Sequence, residues 1–106
     1  MKKLTAISII LAIALTAIST PTFAEEFNLE LQIKQAGDRL EDRAEKATGK
    51  EKQELLKLAA IYRVAWANHN LYHGYTDRAI ALYQYALRLD PNNTVAQLAL
   101  KELQPE

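Results

Sequence analysis

Gly74-Tyr75-Thr76-Asp77-Arg78-Ala79-Ile80-Ala81-Leu82-Tyr83-Gln84-Tyr85-Ala86-Leu87-Arg88-Leu89-Asp90-Pro91-Asn92-Asn93 is the stretch whose reading decides the fold. Gly74 opens it with a break. The spacing then predicts a helix from about Asp77 to Leu89. Ala79, Tyr83 and Ala86 recur on one apolar face, and Leu82, Tyr85 and Leu89 form another. Asp77, Gln84 and Arg88 join Ala81 in a single polar stripe. Two apolar faces mean that this helix packs between two neighbours. Pro91 stops it, having no N–H for the ladder and a ring that collides with the preceding turn.

Upstream, Thr48-Gly49-Lys50-Glu51 has the spacing of a capping box, and a helix is predicted from about Lys50 to Tyr72. Between Leu58 and Ala67 only Arg63 is charged, so this helix is covered on more than one side and should be central. Ala59, Ala60, Ala65 and Ala67 would let neighbouring backbones come close. Before it, Leu29, Ile33, Ala36, Leu40, Ala44 and Ala47 recur at steps of three and four, predicting a helix from about Asn28 to Ala47 with one narrow apolar stripe. Asn28 is the expected N-cap, and Gly49 is placed to end the helix. Residues 25 to 57 carry 16 charged groups in 33 positions, so the rest of that helix reads as a solvated face, with Glu30–Lys34 and Asp42–Lys46 as pairs four apart. Downstream, Thr94-Val95-Ala96-Gln97 is a second capping box. It opens a short helix of about Val95 to Leu103, with Val95, Leu98 and Leu103 on one face. No segment alternates as a strand does. The expected fold is all-α, a stack of about four helices.

The residues from Gly74 to Asn93 resemble the second half of a tetratricopeptide repeat, a helical hairpin of 34 residues. Gly74 stands at the family's inter-helix turn, followed by Ala79, Tyr83, Ala86 and Pro91 in the family's order. Counting back places the repeat at residues 60–93, with Trp66 and Ala67 at a large and a small packing position. Arg63 stands where the family usually has Trp or Leu, and Asn70 where it has Tyr. The resemblance implies a helical hairpin stack with Trp66, Ala67, Gly74, Ala79, Tyr83, Ala86 and Pro91 as the repeat core. One repeat leaves its faces uncovered, so the flanking helices, about 28–47 and 95–103, would cover them. In such arrays the first helices line a groove for a peptide or a partner helix. The matching positions here are Ile61, Val64, Asn68, Leu71 and Tyr72. Asn68 matches the Asn with which clamp-type members hold a ligand, but Val64 replaces their basic residue, which disfavours a carboxylate-terminated ligand. The other reading of this surface is core beneath the first helix.

Met1-Lys2-Lys3, fifteen uncharged residues from Leu4 to Ile18, and the small residues Thr22 and Ala24 follow the three-part layout of a signal peptide. Cleavage is expected after Ala24, leaving a single domain of residues 25–106 in the periplasm or outside a bacterial cell. The apolar stretch is short for a membrane span of ~20 residues, so no stable membrane anchor is expected after cleavage.

The chain has 106 residues, with 13 basic and 13 acidic groups. That balance excludes a strongly basic nucleic-acid surface. With no Cys in the chain, and no Ser after Ala24, disulfides, thiolate metal sites and the Ser and Cys hydrolases are excluded. His69 and His73 share a helix face, the outer frame of a zinc-protease motif, but Asn70 replaces its essential Glu. Two ligands fall short of a zinc site, so His69 and His73 are weak metal candidates and no metal or cofactor is expected. With no catalytic constellation, the expectation is a non-enzymatic protein–protein interaction module whose partner is another protein or peptide. The alternatives are a self-associating structural subunit, a homodimer through Leu29, Ile33 and Leu40, and a metal-handling protein through His69 and His73.

Overall fold

The computed structural model describes residues 22–105 and, among them, is all-α. Four helices follow in order: α1 Phe23–Lys46, α2 Gly49–Tyr72, α3 Thr76–Leu89 and α4 Thr94–Leu103. Each packs on the next along the chain, α1 on α2, α2 on α3, α3 on α4. The apolar run Leu4–Ile18 lies outside the described residues. Within them no helix is long and apolar enough to cross a membrane.

The helix ends differ from expectation for local reasons. α1 starts five residues before Asn28, because Thr22 and Glu25 form a complete capping box: the Glu25 N–H donates to Thr22 Oγ1 at 3.2 Å and the Thr22 N–H to Glu25 Oε2 at 3.4 Å. Asn28 therefore lies inside the helix rather than at its cap. At Thr48 the expected box does not form, and the side chain makes no capping bond. Gly49 there has φ +60°, a left-handed backbone that glycine adopts without penalty. At α4 the cap is Asn93, not Thr94: Asn93 Oδ1 accepts from the Ala96 N–H at 2.9 Å, and Gln97 donates instead to the Pro91 carbonyl at 2.7 Å.

Gly74 has φ +84° and closes α2 with a Schellman pair, the Tyr75 N–H donating to the Asn70 carbonyl and the Gly74 N–H to that of Leu71. This turn sends α3 back along α2. Between α2, α3 and α4 lies an apolar core of Ala60, Val64, Ala67, Ala79, Tyr83, Ala86, Ala96 and Ala99. Six of these eight are alanines, so the backbones approach closely and one large side chain, Tyr83, fills the middle. The face of α4 turned to the core is centred on Ala96 and Ala99. Val95, Leu98 and Leu103 are half-buried at its margins.

Candidate functional site

α2 has three faces with three different chemistries. One packs on α3 through Ala60, Val64, Ala67 and Leu71. The second meets α1 and is polar. The third bears Leu58, Ile61 and Tyr72 and is open to solvent.

The polar face centres on Arg63, which is 2 % exposed. Its Nε donates to Glu41 Oε2 at 2.9 Å, its Nη1 to the Lys34 carbonyl at 3.3 Å and its Nη2 to Asp38 Oδ1 at 2.7 Å and to Glu41. The Tyr85 hydroxyl from α3 donates to the same Glu41 carboxylate at 2.6 Å, and the guanidinium lies 5.0 Å from the Tyr85 ring centroid. Burial alone would lower the Arg63 pKa, but the bonds to Asp38 and Glu41 outweigh it and hold the pKa above its ordinary value. The hydrogen bonds of Asp38 with Lys34 and Arg63 hold its carboxyl below the usual carboxylate range. Arg63 fits at this depth because Gly37 faces it: a Cβ at Gly37 would stand 2.8 Å from Arg63 Cζ and Nη1. Arg63 therefore does what a large apolar residue does elsewhere, filling an interhelical space. The charge run on α1 is solvated on one side only, since Glu30, Asp38 and Glu41 turn toward α2 and α3. Glu30 binds Trp66 and approaches Arg78 and His69, not Lys34, which pairs with Asp38 at 2.9 Å.

Toward the C-terminal end of α2 the same interface continues as a ladder. His69 Nε2 stands 3.6 Å from Glu30 Oε2, and His73 Nε2 stands 3.8 Å from Glu26 Oε2. The two imidazoles are neighbours, with centroids 4.6 Å apart. Burial, and then the nearby His73, lower the His69 pKa below its ordinary value. Glu30 is oriented by a hydrogen bond from Trp66 Nε1 to its Oε1 at 2.9 Å, and Arg78 Nη2 stands 3.5 Å from that oxygen. Neither glutamate was singled out from the sequence as a partner of the histidines. The available signal was the hairpin itself: both pairs share one register across α1 and α2, each glutamate four residues, one helical turn, nearer the Ala47–Thr48 turn than the histidine that it faces.

The five residues predicted to line a groove do not share one surface. Val64 and Asn68 are buried, Leu71 is half-buried against the core, and Ile61 and Tyr72 are each 54 % exposed. The reason is helical phase, since Val64 and Leu71 fall on the stripe that meets α3. Asn68 Oδ1 accepts a hydrogen bond from the Tyr83 hydroxyl, whose pKa burial pushes up. Its Nδ2 is buried without a partner. Of the residues expected in the repeat core, Ala67, Ala79, Tyr83 and Ala86 are fully buried. Trp66 is half-buried toward α1, and Gly74 and Pro91 are exposed at turns. Leu29, Ile33 and Leu40, the expected dimer seam, are half-buried. A cleft of about 350 Å³ over Trp66 is lined by Phe27, Glu30, Leu31, Lys34 and Arg78. Compared with protein-family models, with curated proteins and with solved structures, the chain matches none.

Proposed function

We propose that the chain is a non-enzymatic protein–protein interaction module of tetratricopeptide type, acting in the periplasm after loss of residues 1–24. The observation that carries this reading is the third face of α2. Leu58 is 47 % exposed and Ile61 and Tyr72 54 %, although this helix is covered on its two other faces. Large apolar side chains left in water on an otherwise packed helix are suited to burial by a partner. The occupant is an apolar segment of another protein or peptide, and Tyr72 is the strongest anchor, with much area, few torsions and a polar tip. Cleavage after Ala24 removes the Thr22 cap, which costs α1 about 1 kcal/mol. It leaves Glu25 and Glu26 in the first turn, where the helix dipole favours acids.

The test is capture from a periplasmic extract by the purified protein, followed by binding measurements on the captured partner. Tyr72→Ala should weaken binding by ~1–2 kcal/mol with little change in melting temperature. Ile61→Asp should abolish capture. Equal capture by wild type and Ile61→Asp overturns the reading, as does an N-terminal sequence of the exported protein that begins before Glu25.

A further inference from the structure

The end of the α1–α2 hairpin opposite its turn carries four metal-ligating side chains in two facing rows. Glu26 and Glu30 are one helical turn apart on α1, and His69 and His73 are one turn apart on α2. Steps of four residues put each pair on one face of its helix, one above the other. The antiparallel packing then sets Glu30 opposite His69 at 3.6 Å and Glu26 opposite His73 at 3.8 Å. We propose that Glu26, Glu30, His69 and His73 form a binding site for a divalent transition ion of the zinc class.

As the side chains stand they form two facing pairs, and no group of three donors among the described residues is already placed to hold an ion. Along the two facing edges the remaining distance is small. In a tetrahedral site with bonds of ~2.0–2.1 Å, ligand atoms are separated by roughly 3.3 Å along each edge. The two observed N···O separations exceed that by about half an ångström or less. Closing them takes side-chain rotation, for which His73 and Glu26 have room, being 25 % and 31 % exposed. His69 lies deeper, at 12 % exposed, and Glu30 is held by Trp66, so these two are the fixed half of the site. Glu30 has its Oε1 held by Trp66, which leaves Oε2 toward the imidazole. Outer-shell bonds of this kind orient a ligating carboxylate before any ion arrives.

The donor set selects the ion. Two imidazoles and two carboxylates suit zinc, copper or nickel, whereas magnesium and calcium take all-oxygen shells. The other carboxylates of this interface differ in kind. Asp38 and Glu41 are tied to the buried Arg63 and no imidazole faces them, whereas the arginine beside Glu30, Arg78, is 59 % exposed and stands 3.5 Å from Oε1, the oxygen turned away from His69. Bound between α1 and α2, the ion would pin the free end of the hairpin.

The test is cobalt titration of the metal-free protein at neutral pH, followed by optical absorption and by thermal melting with zinc. One equivalent of cobalt should develop the intense visible bands of tetrahedral coordination, and zinc should displace it. Zinc should also raise the melting temperature. His73→Ala, at the exposed edge, should weaken zinc binding at least tenfold while keeping the helical content of wild type. Glu26→Gln should weaken it less, and magnesium should not compete. Zinc affinity in His73→Ala equal to wild type overturns the proposal. So does a cobalt spectrum that stays that of the hexahydrate, or a stoichiometry above one.

Discussion

α2 is held by two interfaces built on opposite plans. Toward α3 it is largely apolar and rich in alanine, with Tyr83 as the one large plug. Toward α1 it is polar, with a guanidinium at its centre and carboxylates arriving from the facing helix. The alanine interface gains from close backbone approach and carries one buried hydrogen bond, from the Tyr83 hydroxyl to Asn68. The arginine interface has a direction: Arg63 is satisfied only if Glu41, Asp38 and the Lys34 carbonyl all stand where they do. Burying a cation without partners is strongly unfavourable, whereas burying a methyl group is favourable wherever it lands. The polar interface thus selects one docking of α1, while the apolar one supplies general cohesion.

Removing Arg63 should separate the two plans most sharply. Arg63→Ala should cost about 3 kcal/mol, the range for breaking a buried ion pair. It also opens a void against Gly37. Arg63→Met should recover a large part of that loss if filled volume is what matters, and little of it if the carboxylates need their cation. Denaturant melts of both variants decide. On the apolar side, Ala86→Leu should overpack the crossing and cost ~1–3 kcal/mol. A variant melting like wild type would mean that the alanine contact has slack that a fully buried residue should not have.

Gly37 gives a smaller effect whose sign depends on its neighbour. In wild type, Gly37→Ala gains helix propensity of ~1 kcal/mol but drives a Cβ against the guanidinium, for a net loss of about 1 kcal/mol. In the Arg63→Ala background the obstacle is gone, and the same change should stabilise by about 1 kcal/mol. A double-mutant cycle reads this reversal directly. A Gly37→Ala effect of the same sign in both backgrounds would break the account of the close approach.

The smallest effect is that of acid. The Asp38 pKa lies below its ordinary value in the folded protein. Its ionised form therefore contributes stability that is complete above about pH 4 and is lost as pH falls through the folded value. The melting temperature should decline in that acid range, and Asp38→Asn should flatten the decline. Asp38 is 45 % exposed, so solvent screening keeps the contribution small.

Much of the helical order was legible because it rests on local rules. Periodicity placed all four helices, and Pro91 and Gly74 marked two of the turns. Caps were less legible, since a side chain competes with its neighbours for the same N–H. Asn93 won over Thr94, and Thr22 with Glu25 over Asn28. The candidate sites were least legible. Val64 and Asn68 look like groove residues in a one-dimensional count, yet a few tens of degrees of helical phase turn them inward. In the sequence Arg63 is only a lone charge in an apolar stretch, because nothing adjacent in sequence shows that Glu41 will reach it.

By itself the sequence determined which segments are helical and the alanine positions along which α2 and α3 meet, because 3.6-residue periodicity and backbone-breaking residues act within a few positions of the chain. Only the tertiary structure decided the fate of the charges. Glu26 and Glu30 come to face His73 and His69, and Asp38 and Glu41 come to enclose Arg63, across 22 to 47 residues of chain. A charge is compatible with water or with a buried partner, and its side chain alone does not say which. That choice is made when the hairpin closes and sets the two helices face to face.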